Sequence, residues 1–365
     1  MVDNFSIRKH LGSGRTSEVY VCDHSLLKVP VAVKLINKGC LNEKQLSNIR
    51  REIMLMNDID HPNIISLFGV LETEEKVALI MEYAPNGTLQ AAIKQGESMD
   101  ENTIRKYFIQ ILEAVDYLHN EKHIIHRDIK PENILLDYYG RVKLADFGLS
   151  IQGENLRNTS CGSPCFCSPE ILKKSSYGPE TDIWSLGIVL YFLATSYLPF
   201  KDSNMPSLFQ KILKHSVTFS DTSISIELQD LILKMLDKNP NNRITIKQIK
   251  EHHWTHYHEV LPYLTPLKTD MNDEKISHRI YASLEELGYS KKMVDDLIDS
   301  ENTDLKIMIN ILKWKFSLKK RTSSGLSIQS LPNLVSLFSS IEGKCKIFRR
   351  RPLQKSGNAI PKLIK

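Results

Sequence analysis

The segment His126-Arg127-Asp128-Ile129-Lys130-Pro131-Glu132-Asn133 places a carboxylate, a cation and an amide within eight residues. Asp128 can accept a hydroxyl proton, Lys130 can neutralise phosphate charge, and Asn133 offers an oxygen to a hard cation such as Mg²⁺. Pro131 fixes φ and removes a backbone donor, so a rigid loop is the expected conformation. Phosphoryl transfer is catalysed mainly by positioning and charge neutralisation, and these residue types supply both. A polar loop without a catalytic role is the plain alternative for so short a pattern.

Groups elsewhere in the chain complete the chemistry if the fold brings them near. Residues 5–37 read as strands, and Leu11-Gly12-Ser13-Gly14 turns between two of them. Gly12 and Gly14 have no Cβ and let backbone approach a phosphate closely. Val31-Ala32-Val33-Lys34 carries a lysine at strand alternation. Residues 43–57 read as a helix with Ile49, Ile53 and Met56 on one face and Glu52 beside it. Ile64 to Val70 and Val77 to Tyr83 are apolar strands, and Pro85-Asn86-Gly87 then breaks the chain. Thr103 to Asn120 is apolar at helical period, which makes it a core helix leading into the polar loop. After the loop come a short strand, Ile134-Leu135-Leu136, and then Lys143-Leu144-Ala145-Asp146-Phe147-Gly148.

In this order and spacing the motifs resemble those of eukaryotic-type protein kinases. The loop matches their HRD catalytic loop with its later Asn, and Asp146-Phe147-Gly148 matches their second metal-binding motif. The resemblance implies an α+β fold of two lobes, a small β-rich lobe (1–83) and a larger helical lobe (84–257), with ATP between them. It implies that Asp128 orients and deprotonates a hydroxyl, that Asn133 and Asp146 hold Mg²⁺, and that Lys34, paired with Glu52, positions phosphate. Lys130 two residues after Asp128 is the form found in serine/threonine kinases. The nucleotide would lie against Leu11, Gly12, Ser13, Gly14, Val19, Ala32 and Leu135. Met81 would be the gatekeeper, and backbone groups of Glu82 and Ala84 would bond adenine. The pattern departs at Ser17, where a third glycine is usual, and at Thr88, where many basic-directed kinases carry Glu.

The loop 149–170 resembles an activation segment, ending in Ser168-Pro169-Glu170 with Phe166 where Tyr is more usual. Leu156 to Pro164 is similar to the AMP-activated and microtubule-affinity-regulating kinases. There the residue matching Thr159 is phosphorylated by an upstream kinase, and Arg127 would pair with that phosphate. Asp182 resembles the aspartate that bonds the catalytic-loop backbone, and Arg243 the arginine that pairs with Glu170. An inactive scaffold or a small-molecule kinase would be the rivals. The first requires loss of Lys34, Asp128 or Asp146, and all three are present.

Beyond a linker at 258–273, residues 274–316 read as three short helices, the second capped by Ser290 and the third by Thr303. Leu284 to Tyr289 is similar to the ubiquitin-associated-like module that follows the catalytic domain in the same group, and a generic helical bundle is the alternative. Residues 317–365 are Ser-rich and then basic. From Ile311 onward 13 Lys and Arg face one acid, a balance of +12, so the chain total of +5 leaves −7 for residues 1–310. Such a tail is usually solvated, with contact to anionic membrane or nucleic acid as the sharper alternative. No apolar run reaches membrane-spanning length, and the polar N-terminus lacks a signal sequence. A cytoplasmic protein with reduced thiols is the expectation, with a nuclear location left open by the tail. Zinc binding by Cys161, Cys165 and Cys167 is not expected, because no second cysteine pair completes four ligands. His252, His253, His256 and His258 read as a helix end.

Overall fold

The computed structural model describes residues 4–14, 16–93, 99–152, 163–219, 224–256, 274–299 and 302–322. Thr159, the linker at 258–273 and the Ser-rich and basic stretch from 323 lie outside them.

Five strands open the chain: β1 (Phe5–Ser13), β2 (Ser17–His24), β3 (Pro30–Asn37), β4 (Leu67–Glu72) and β5 (Lys76–Glu82). They form one antiparallel sheet in the order β1-β2-β3-β5-β4. Between β3 and β4 lies helix α1 (Glu43–Asn57), started by a capping box in which Asn42 and Gln45 satisfy each other's backbone N–H. The expected strand from Ile64 begins later, at Leu67, because Ile64 makes only an isolated parallel bridge to Leu144.

β5 reads as a continuous apolar run because both of its faces are covered. Val77 and Leu79 join the core shared with α1, whereas Ala78 and Ile80 join a second cluster with Phe5, Val31, Val33 and Phe68. That second cluster is closed by Ile307 and Ile311 of the C-terminal region. A half-solvated sheet would have shown alternation of apolar and polar residues instead.

The helical part follows: α2 (Leu89–Ala92) and α3 (Glu101–Asp116), the latter capped by Asp100. The single turn Tyr117–Glu121 continues α3 as a π-helix. Short strands β6 (Ile124–Ile125), β7 (Ile134–Leu136), β8 (Val142–Leu144) and β9 (Ile151–Gln152) pair as β6-β9 and β7-β8 around the catalytic-loop segment. Then come α4 (Pro169–Leu172), α5 (Glu180–Thr195), α6 (Met205–Lys214), α7 (Ile226–Met235) and α8 (Ile246–Glu251). α5 is apolar all round and buried from Thr181 to Ala194, the pattern of a helix at the centre of a core.

Three helices end the described chain: α9 (Glu274–Glu286), α10 (Lys291–Asp299) and α11 (Thr303–Thr322). Ser290 caps α10 as expected, its hydroxyl oxygen accepting the Met293 N–H at 3.3 Å. The expected cap of α11 by Thr303 is corrected: Asn302 Oδ1 accepts the Leu305 N–H at 2.9 Å. α11 also continues past 316 to Thr322. The three helices share a core of Ile280, Leu284, Val294, Leu305, Met308, Leu312 and Phe316. The opposite side of α11 packs on the sheet, where Trp314 meets Phe68 edge-on and Asn310 donates to the Phe68 carbonyl at 2.9 Å.

Candidate active site

The strand register sets the first part of the site. Lys34 lies opposite Val19 on β2 and Leu79 on β5, and Ala32 lies opposite Val21 and Met81. Val19, Ala32, Lys34 and Met81 therefore share one face of neighbouring strands. Leu11, 44% exposed, and Gly12 precede them on β1. A Cβ on Gly12 would meet nothing within 4 Å, so its absence matters only to a group approaching from outside. The turn closes with Gly14 N–H donating to Ser17 O at 2.7 Å, next to Ser13.

α1 brings Glu52 to Lys34, with Nζ 2.8 Å from Oε1 in a largely buried pair. The same ammonium lies 3.5 Å from Asp146 Oδ1. Burial pulls the Lys34 ammonium down, but Glu52 and Asp146 outweigh it and leave its pKa above the ordinary value. Burial raises the Asp146 carboxyl, while Lys34, His126 and the Gly148 N–H lower it, with a net shift downward. Asp146 is thus held as a carboxylate, half exposed, at φ +65°. That left-handed backbone is strained for a non-glycine residue and is the kind of outlier found at functional sites. Phe147 is buried and meets the His126 ring edge-on at 5.0 Å.

The catalytic-loop segment is fixed from below. Asp182, fully buried at the start of α5, accepts the N–H groups of His126 and Arg127, each at 2.8 Å. His119 Nε2 lies 2.8 Å from the same carboxylate. Burial raises the Asp182 carboxyl, but His119, His126 and the Arg127 N–H together depress its pKa. His126 is fully buried, which lowers its pKa. Its two nitrogens serve the Asp128 N–H and the Ala145 carbonyl, at 3.3 and 3.2 Å.

Asp128 ends this chain of contacts. Lys130 Nζ donates to its Oδ2 at 2.7 Å and Asn133 Nδ2 to the same oxygen at 2.8 Å. Asn133 Nδ2 also donates to the Asp128 carbonyl, which leaves the amide oxygen of Asn133 as its acceptor for a cation. Asn133 and Asp146 are joined through the Ala145 N–H, which donates to the Asn133 carbonyl at 2.9 Å. Two hard oxygen donors on adjoining backbone suit Mg²⁺, which keeps several waters and phosphate oxygens in its shell.

Further contacts have no counterpart in the sequence reading. Ser163 hydroxyl bonds Lys130 at 3.2 Å and Ser163 N–H reaches Asp128 Oδ1 at 3.4 Å, so the stretch read as the activation segment touches the Asp128 carboxylate. His119 was legible only as part of a helix. The side chain of Glu82 forms a fully buried ion pair with Lys143, although sequence reasoning used only its backbone. The signal was there: each is a charge inside an apolar strand.

Arg127 stands at φ +66° and donates to the Leu149 carbonyl and the Tyr177 hydroxyl, both at 2.7 Å. Its expected partner Thr159 lies outside the described residues. Arg243 grips Glu170 with two bonds of 2.7 and 3.0 Å. Cys22, Cys40 and Cys165 are free thiols, but Cys167 is disulfide-bonded, which corrects the expectation of fully reduced cysteines. α8 ends at Glu251, and His252 follows with its Nε2 2.8 Å from Asp230. Among the described residues no helix is long and apolar enough to cross a membrane.

Comparison with known proteins agrees with this geometry. The protein kinase domain family model matches residues 5–255. Serine/threonine-protein kinase SIK1 of Rattus norvegicus is 42% identical over 256 residues, covering 68% of this chain and 32% of the relative. CBL-interacting protein kinase 26 of Oryza sativa subsp. japonica is 38% identical over 261 residues, 70% of this chain and 52% of the relative. The SNF1-related protein kinase catalytic subunit alpha KIN12 of Arabidopsis thaliana is 36% identical over 301 residues, 81% of this chain and 60% of the relative. The chain therefore spans between about a third and three fifths of the curated relatives it matches. With its two-lobed arrangement of sheet and helices and with relatives of this group, the chain belongs to the protein kinase domain family, on the serine/threonine side.

Proposed function

We propose that the protein transfers the γ-phosphoryl group of ATP to serine or threonine hydroxyls of protein substrates. The observation that carries the reading is the convergence of Glu52 and Asp146 on the Lys34 ammonium, beside Asp128, Lys130 and Asn133. Asp128 orients the acceptor hydroxyl and takes its proton. Lys130, bonded to Asp128, neutralises charge on the transferring group. Lys34, fixed by Glu52, holds the phosphate tail of the nucleotide. Asn133 and Asp146 would hold Mg²⁺, which offsets the charge on the phosphate oxygens. Val19, Ala32 and Leu135 would enclose adenine, with Met81 at the back and the backbone of Glu82 and Ala84 along its edge.

Phosphorylation of Thr159 by an upstream kinase would raise activity, with Arg127 as the cation for its phosphate. Helices α9 to α11, read as a ubiquitin-associated-like module, would tune the kinase through their contact with β4 and β5. The basic tail would favour anionic surfaces, membrane or nucleic acid, in the cytoplasm or nucleus. A catalytically silent scaffold is the weaker reading, since Lys34, Asp128 and Asp146 are all retained. The test is phosphorylation of a peptide array by the purified protein, beside Asp146→Ala. Incorporation by the wild type alone supports the reading. Equal labelling by the two, or none by a phosphorylated wild type, refutes it.

A further inference from the structure

The edge of the nucleotide cleft contains a charge pair that phosphoryl transfer does not use. Lys143 Nζ lies 2.7 Å from Oε1 and 2.8 Å from Oε2 of Glu82, with side chains 2% and 1% exposed. Glu82 closes β5 at the head of the hinge, and Lys143 is the middle residue of β8, three before Asp146. The pair therefore ties the end of the N-terminal sheet to a strand of the helical lobe.

Two further bonds make Glu82 rigid. Its Oε2 accepts the Ser66 N–H at 3.2 Å, and its own N–H donates to the Ser66 carbonyl at 2.9 Å. Ser66 is itself held close to β8, because the Ile65 N–H donates to the Leu144 carbonyl. On the other side of the hinge, Asn86 N–H donates to Leu136 O and Leu136 N–H to Gly87 O. Only residues 83–85 run between these two anchored points. Across β7-β8 the partner of Lys143 is Leu135, read above as the floor beneath adenine. One pair of charges thus aligns both the backbone edge that would take adenine's hydrogen bonds and the residue that would support its ring.

Stability does not account for such a pair. A buried ion pair roughly breaks even against a well-packed apolar pair of the same volume, because desolvation cancels most of the attraction. What it supplies over an apolar pair is direction, since a carboxylate held at three points cannot rotate.

We propose that Lys143 is a positioning residue for adenine recognition, acting through the Glu82 side chain on the hinge backbone. It decides how well the cleft distinguishes adenine from other bases, and the inference rests on the ATP reading above. The experiment replaces both charges in the full chain, Glu82→Leu with Lys143→Met, and measures Kd for MgATP and MgGTP by calorimetry. Steady-state kinetics supplies KM for ATP and kcat. The double variant is expected to melt as a folded protein. Its KM for ATP should rise about tenfold with a much smaller change in kcat, and its preference for ATP over GTP should fall by a similar factor. Should the double variant not fold, Lys143→Arg keeps the charge but moves it, and is expected to raise KM for ATP at least threefold. A folded variant with wild-type KM for ATP and wild-type base preference overturns the proposal and leaves the ATP reading intact. A wild-type protein that takes up neither nucleotide overturns both.

Discussion

Gly69 on β4 offers a test of whether α11 is a built part of the kinase sheet. A Cβ added there would collide with Cγ1 of Ile307 and lie 3.1 Å from its Cδ1, while the Ile307 Cβ is 3.8 Å away. Ile307 is 1% exposed and lies in the cluster with Phe68 and Ile80, so it has no free volume to retreat into. Overpacking of this kind costs roughly 1–3 kcal/mol. A small gain from removing a strand glycine, about 0.5–1 kcal/mol, offsets part of it. Gly69→Ala should therefore destabilise by about 1–2 kcal/mol, a fall of roughly 2–6 °C in Tm for a protein of this size. Ile307→Ala alone opens a cavity and should cost about 2–5 kcal/mol. Combined, the two methyl groups would meet at ordinary van der Waals distance, given the 3.8 Å separation of the Cβ positions. The double variant should then be more stable than the sum of the singles by at least about 1 kcal/mol. Denaturant unfolding of the four proteins measures the cycle. Additivity within about 0.5 kcal/mol, with Gly69→Ala melting as the wild type, would refute the packing of α11 against β4. Activity measured alongside shows whether loosening α11 alters turnover.

Other outcomes follow from the same geometry. Lys34→Met should lower peptide phosphorylation by about 10²–10³-fold or more, as loss of a preorganised charge does. Arg243→Ala strands the buried Glu170 carboxylate; a loss of about 3–5 kcal/mol in denaturant unfolding is expected, and Glu170→Gln should lose less. His24 is buried, and burial together with Lys28 pulls its pKa down to about 4 from 6.5. The folded state therefore favours the neutral ring: its contribution is complete above pH 6.5 and is lost as pH falls toward 4. The difference, about 3 kcal/mol at most, should vanish from the acid limb of a stability–pH curve in His24→Asn, which keeps an acceptor for the Leu26 and Leu27 N–H groups.

The catalytic groups were legible because short motifs fix them locally. Asp128, Lys130 and Asn133 lie within one short loop, and Glu52 could be named because residues 43–57 show a clear apolar face and the resemblance pairs it with Lys34. What escaped the sequence depends on contacts between distant segments. The run from Val77 to Tyr83 announced an apolar strand, but nothing local said that Ile307 and Ile311 cover the face that carries Ala78 and Ile80. His119 looked like any polar residue late in a helix, until the fold set it against Asp182. Glu82 was read through its backbone alone because its counter-charge stands 61 residues further on. The cap of α11 was missed for a smaller reason: Asn302 and Thr303 are both good cap residues, and sequence cannot choose between neighbours.

The carboxylate of Asp182 gives the loop at Asp128 a reference point on a helix buried along nearly its whole length, independent of anything bound above it. Closure of the small lobe over a nucleotide would carry Lys34 and Glu52 inward while leaving Asp128 where it stands. On the proposed function, an acceptor hydroxyl would then meet a base whose place was set at folding, and the burden of adjustment would fall on the donor side.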